Sequence, residues 1–278
     1  MTSKEGIKQG NNIFIILTIS FGHLCHDIYT SFLAPILPLL IEKLTLTYTS
    51  AGFISVLLRL PSVFSPLIGA LASRVNLKYI VIASPAVTAA AMCLIGSAPD
   101  YKTLALLALA AGISSACFHV PTPVLLKNLS GKRVGAAMSS FQIGGELSRT
   151  LGPLVVLGAV SIWTLNGIYR LIPLGVLASF FLHWALRDVP SSRSSKKPYR
   201  ISGSIVKTFA CQKQLFVSIA GILLCKSFAA SILGAYLPTY LTAKGESLWF
   251  AGGALSLVQA FAIIGVFFYG HPLGQDWL

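Results

Sequence analysis

Long uninterrupted apolar runs constrain this chain more than any other feature. A bilayer core about 30 Å thick is crossed by about 20 apolar residues in a helix. Eight stretches reach that length, at roughly 13–41, 49–72, 79–98, 103–126, 135–160, 168–186, 214–241 and 248–270. In lipid every backbone N–H and C=O must find a partner within the segment, so such runs fold as helices. The expectation is an all-α integral membrane bundle of about eight transmembrane helices. Composition agrees. Of the 278 residues, 10% are charged and 55% hydrophobic, and the mean hydropathy is +0.77. Those values exclude a soluble globular enzyme and a disordered chain. The first run is far longer than the apolar part of a secretory signal, and no small-residue cleavage site follows it, so it reads as a spanning helix.

Connections at 42–48, 73–78, 99–102 and 127–134 are short, so neighbouring helices run antiparallel. Alternate loops then lie on opposite sides of the membrane. Fourteen Lys and Arg fall on the side of the N-terminus, and four (Lys43, Lys102, Arg170, Lys244) on the other. The remaining three of the 21, Arg59, Arg149 and Lys226, lie inside spans. Fourteen against four places the N-terminus in the cytoplasm. It also accounts for most of the formal charge of +13 with no nucleic-acid partner. The lipid bilayer is the partner this chemistry implies. The cysteines (Cys25, Cys93, Cys117, Cys211, Cys225) form no CxxC pair and mostly sit in apolar runs, which argues for packing residues and against a disulfide framework or structural metal.

The one long connection, 187–213, contains DVPSSRSSKKPYR, a polar and basic linker composition. It divides the chain into a six-helix bundle (1–186), a cytoplasmic linker (187–213) and two further helices (214–278). A shift of 200 residues lays Leu33, Leu37, Pro38, Ala51, Gly52 and Leu57 over identical residues at 233, 237, 238, 251, 252 and 257. The last two helices thus read as the start of a second copy. Parallel six-helix repeats are one architecture of secondary transporters.

Charges at membrane depth are costly and point to function. Asp27, Arg59, Glu146, Arg149 and Lys226 all lie about 17–21 Å in from the cytoplasmic end of their spans, counted at 1.5 Å per residue. A shared polar cavity is the functional reading, and structural ion pairs are the plainer one. His23, His26 and Asp27 share a face of the first helix, extended by Ser20 and Thr30. His119 enters at about 12 Å depth, near the level of His23, in FHVP, where Pro121 frees a backbone carbonyl. A carboxylate among imidazoles in low dielectric suits proton transfer, while a lone histidine is as often a packing residue. Glu146 and Arg149, spaced i, i+3, can neutralise each other. Gly144, Gly145, Gly152 and Pro153 on that helix suit close packing and a bend. No enzyme is expected. The His23–Asp27 spacing differs by one from that of membrane acyltransferases, and the His26-Asp27 pair lacks the further ligands of a metal-dependent phosphohydrolase.

At these residues the sequence resembles the major facilitator superfamily, and within it the fosmidomycin-resistance-like efflux transporters. The resemblance rests on His23 to Asp27 followed by LAPILPLL, on TYTSAG (Thr47 to Gly52), on FHVP (Phe118 to Pro121), on SGKRVGAAMSSFQIGG (Ser130 to Gly145) and on CKSF (Cys225 to Phe228). It also covers the cytoplasmic motif between helices two and three, roughly G-x-L-x-D-R-x-G-R-K. There Gly69, Leu71, Arg74 and Lys78 match, whereas Ser73, Asn76 and Leu77 depart. The resemblance implies a multi-pass protein of the bacterial inner membrane that exports a small organic solute against protons, without cofactor or metal. Asp27, His23, His26, His119 and Glu146 are the candidates for proton coupling. Arg59, Arg149, Lys226, Gln142 and Gln259 are the candidates for binding an anionic solute. Gly69, Arg74, Lys78, Gly152 and Pro153 are the candidates for the conformational change. The family has twelve helices, so a C-terminally truncated member is expected. The alternative is a non-transporting membrane protein or a helical structural subunit.

Overall fold

The computed structural model describes residues 3–72, 77–189 and 210–270, and within them only helices and their connections. The elements are α1 (Ser3–Thr30), α2 (Leu33–Leu44), α3 (Tyr48–Arg59), α4 (Ser65–Ala72), α5 (Leu77–Leu94), α6 (Tyr101–His119), α7 (Pro121–Ser130), α8 (Val134–Trp163), α9 (Ile172–Leu186), α10 (Lys213–Ala243) and α11 (Leu248–Gly270). Arg74, most of the expected linker (190–209) and positions 271–278 lie outside the described residues.

Three expected spans are broken helices, and proline explains each break. α1 and α2 are separated at Ser31 and Phe32. Pro35 cannot donate to Ser31, and its ring crowds that carbonyl. The Ser31 amide and the Ser31 and Thr30 hydroxyls all turn back onto the Asp27 carbonyl, at 3.1, 2.8 and 3.0 Å. Between α3 and α4 the chain tightens into a 3₁₀ turn, Leu60–Phe64, with Pro61 near its start. Between α6 and α7 Pro121 restarts the helix two residues after His119. Asp100 caps the start of α6, accepting from the Thr103 amide at 2.8 Å.

Six stretches among the described residues are long and apolar enough to cross a bilayer: Ile13–Leu44, Tyr48–Gly69, Lys78–Ser97, Tyr101–Ser130, Leu165–Leu186 and Lys213–Ala243. Two of the eight expected spans fall short of that measure. α8 has the length, but Glu146 and Arg149 lower its apolarity. The apolar stretch described in α11 is the shorter Leu248–Phe261.

α1 is the central element, packing on α5, α8 and α9. It passes between two apolar clusters. Ile16 and Ile19 lie in one, with Phe118, Leu126 and Leu182; Tyr29 and Phe32 lie in the other, with Ile54, Met92 and Leu157. His23, His26 and Asp27 fall between them. Glycines on α8 bring the two backbones together. A Cβ on Gly144 would meet the Ser20 carbonyl at 2.5 Å, and one on Gly152 the Ile28 carbonyl at 2.9 Å. α8 runs through Pro153 as one helix, so the break in this pair belongs to α1–α2. α10 is exposed from Lys213 to Leu233, and only its far end packs, on α2 and α11.

Gly52 and Gly252, matched at the 200-residue shift, each meet side chains from other helices. Gly52 on α3 faces the Tyr236 hydroxyl from α10, and Gly252 on α11 faces Leu157 and Pro35 of α2.

Candidate functional site

Asp27 is 4% exposed and carries three imidazoles on its two oxygens. His26 Nδ1 and His119 Nε2 lie 2.8 and 3.0 Å from Oδ1, and His23 Nε2 lies 3.2 Å from Oδ2. The i, i+4 spacing brings His23 onto Asp27, as the sequence indicates. The break after His119 delivers the third ring from α6. Ring stacking holds the histidines in place: His23 against Phe141 at 3.8 Å and His26 against Phe118 at 4.4 Å, centroid to centroid. His23 and His26 are buried, and only the His119 side chain, 37% exposed, opens the cluster to its surroundings.

The outer nitrogens of the two buried rings are also occupied. His23 Nδ1 meets the Phe141 carbonyl of α8 at 2.6 Å. His26 Nε2 meets Thr88 Oγ1 of α5 at 3.0 Å, and Thr88 continues to Ser114 Oγ (2.8 Å) and on to the Ser84 carbonyl (3.1 Å). Sequence reasoning missed Thr88, Ser114 and the Phe141 carbonyl. Ser84 and Thr88, one helical turn apart in the apolar run 79–98, were the available signal. Ser20 and Thr30, expected to extend the Asp27 face, bond instead to the carbonyls of Ile16 and Asp27 within α1. One ligand-type atom each from His23, Asp27 and His119 falls within 4.8 Å of the others. The His23 and His119 nitrogens both stand at hydrogen-bond distance from the carboxylate, at 3.2 and 3.0 Å.

A second polar group lies along α8. Arg149 Nη1 donates to Glu146 Oε1 at 2.8 Å, and Gln142 Nε2 donates to the same oxygen at 3.2 Å. The expected i, i+3 neutralisation is therefore present. Glu146 is buried, and its other oxygen is without a hydrogen-bond partner. Arg149 and Gln142 are exposed, and Arg59 is exposed on α3, close enough to Arg149 for their charges to repel.

The five charges expected at one depth have different neighbours. Asp27 belongs to the histidine cluster, and Glu146, Arg149 and Arg59 form the second group. Lys226 sits on the exposed stretch of α10, where depth along the helix says nothing about direction around it. Gln259 is half-buried on α11. Of the expected conformational residues, Gly69 packs on Val120, and Gly152 and Pro153 are buried where α8 crosses the α1–α2 break. Lys78 donates to the Arg187 and Val189 carbonyls at 2.8 and 3.1 Å, tying the start of α5 to the end of α9.

This is a polytopic helical membrane protein with a buried acid–imidazole cluster. The chain belongs to the Major Facilitator Superfamily, whose family model matches residues 19–275. Among curated relatives it is 29% identical over 149 residues to the fosmidomycin resistance protein of Escherichia coli (strain K12). It is 26% identical over 152 residues to YfnC, an uncharacterized MFS-type transporter of Bacillus subtilis (strain 168). Each match covers 53% of this chain and 37% of the relative, so the aligned region is well under half of either relative's length. The fold is similar to a solved bacterial homolog of the human lysosomal transporter Spinster in an inward-facing, unoccupied conformation. The TM-score is 0.75 at 15% identity, covering 92% of this chain and 61% of that one.

Proposed function

We propose that the chain functions as a proton-coupled secondary transporter of the bacterial inner membrane, exporting a small anionic organic solute, with its N-terminus in the cytoplasm. Asp27 takes the proton, and His23, His26 and His119 share it. Arg59 and Arg149 meet the anion; Gln142, Gln259 and Lys226 extend that surface. Residues 1–186 form the first bundle and 214–278 begin the second, joined by the basic linker 187–213.

The observation that carries this reading is a buried carboxylate held by three imidazoles on the helix that packs against α5, α8 and α9. A proton gained or lost there changes contacts on several elements at once, which is what coupling needs. Likeness to a fosmidomycin resistance protein supports export of a drug-like solute. Glu146 pairs with Arg149, and Arg59 brings a second positive charge close to Arg149, which favours an anion.

The test uses vesicles containing the protein. Asp27→Asn should abolish uptake driven by a pH gradient and leave solute affinity near the starting value. Arg149→Gln should weaken an anionic solute by about 1–3 kcal/mol, the scale of a charge-assisted hydrogen bond. Unchanged pH-driven uptake in Asp27→Asn would remove the coupling role. The exposed length of α10 favours one second reading, a helical membrane subunit without transport of its own; it predicts no uptake in any variant.

A further inference from the structure

We infer that in this conformation the Asp27 cluster holds two protons beyond neutral imidazoles and an ionised carboxylate, and that Thr88, Ser114 and the Phe141 carbonyl fix this count. The inference deepens the proton-coupling reading and rests on it for its functional meaning.

The direction of each hydrogen bond follows from which groups can donate. The Ser84 carbonyl only accepts, so Ser114 Oγ spends its one proton there, at 3.1 Å. Ser114 therefore accepts from Thr88, at 2.8 Å. With its own proton committed, Thr88 Oγ1 accepts from His26, which must carry N–H at Nε2. The Phe141 carbonyl likewise requires N–H at Nδ1 of His23. A neutral imidazole has a single N–H. Both rings, if neutral, would turn bare nitrogens onto Asp27, His23 Nε2 to Oδ2 at 3.2 Å and His26 Nδ1 to Oδ1 at 2.8 Å. Lone pairs facing a carboxylate at those distances repel, so each contact needs a proton of its own. That proton can sit on the ring or on the carboxyl, and the sum is two in every arrangement. His119 adds none, because its neutral ring can supply N–H from Nε2 to Oδ1 at 3.0 Å.

The cluster then carries one net positive charge. Few other charges face it. α8 brings Glu146 and Arg149, already paired with each other. α9 brings His183, which is exposed, and Arg187 beyond its end; α7 brings Lys127, also exposed. α5 brings Lys78, which holds the Arg187 and Val189 carbonyls. α6 brings His119, and its other charge, Lys102, is exposed near the opposite end of the helix. The longer of the two contacts belongs to His23, the ring that joins α1 to α8 through Phe141. The first proton to leave therefore frees the His23 ring from Asp27 within α1, while Phe141 keeps its hold on Nδ1.

The count is read on the folded chain in detergent micelles, with ¹⁵N-labelled histidine followed by NMR across a pH series. His23 should keep its proton on Nδ1 and His26 on Nε2 throughout. Two protons should leave the cluster as pH rises. Thr88→Val removes the acceptor of His26 Nε2–H, so the neutral ring can turn its proton to Asp27 and the count falls to one. Ser114→Ala should do the same, because Thr88 is then free to donate to His26. Thr88→Ser should restore two. A wild-type count of one, a neutral His26 with N–H on Nδ1, or a count of two in both Thr88→Val and Ser114→Ala would overturn the inference. So would inward nitrogens that respond to a chelator and not to pH. Uptake is measured separately. A count of one with uptake still lost in Asp27→Asn defeats the inference and spares the transport reading. A count of two with normal uptake in Asp27→Asn does the reverse.

Discussion

A Cβ on Gly145 would lie 2.5 Å from Cε1 of His23, so the ring that bonds Asp27 fits only because α8 has no side chain there. Gly145→Ala should displace His23 from both Asp27 and the Phe141 carbonyl. Overpacking of this kind costs about 1–3 kcal/mol. A Cβ on Gly253 of α11 would meet nothing within 4 Å, so Gly253→Ala should be neutral or stabilising by up to about 1 kcal/mol. Thermal unfolding in detergent compares the two. Equal losses would remove the packing argument.

Gly145 also shows what the sequence made readable. A helix with Gly144, Gly145 and Gly152 announces close packing, and the structure places that packing on α1. Periodicity gave the helices, and i, i+4 spacing gave the His23–Asp27 contact. Depth along a helix gave less, because it is one coordinate of three. Lys226 shares the depth of Asp27 but points from an exposed stretch of α10. Ser84 and Thr88 mark a polar strip on their helix but not what it meets, for a related reason. A lone hydroxyl in an apolar span more often bonds its own helix, as Ser84 does to Ile80, and only tertiary packing sets Thr88 against His26.

Asp100, between the spans, sets a pH dependence at the start of α6. The Thr103 amide and hydroxyl hold its carboxyl below the usual carboxylate range. A depressed folded value contributes stability above the unfolded value, about 3.9, and loses it as pH falls through the folded one. Protection of the Thr103 amide from hydrogen exchange should therefore decline as pH drops below about 4. Asp100→Asn keeps an acceptor at the cap and should flatten that decline. The same decline in the variant would assign it to another group.

Topology is open to direct labelling. In a background lacking Cys25, Cys93, Cys117, Cys211 and Cys225, single cysteines at Lys196 and Tyr101 should react with membrane-impermeant reagent from opposite sides. Position 196 should label from the cytoplasm and 101 from outside, because fourteen Lys and Arg fall on the side of 196 and four on the other. Labelling of 196 from outside would invert the orientation.

The Glu146–Arg149 pair separates structural from functional roles. Arg149 is about half exposed, which weakens the pair, whereas the Glu146 side chain is only 8% exposed. Arg149→Ala should cost more stability than Glu146→Gln, because it leaves a buried carboxylate with Gln142 as its remaining donor. A double-mutant cycle should return a coupling of about 0.5–2 kcal/mol, above an exposed i, i+3 pair and below a fully buried one. Glu146→Gln keeps the shape and frees Arg149 from its counter-charge. Affinity for an anionic solute should then rise, while the stability loss stays small. If affinity falls with Glu146→Gln, the carboxylate itself contacts the solute, and the second polar group recognises something other than a simple anion.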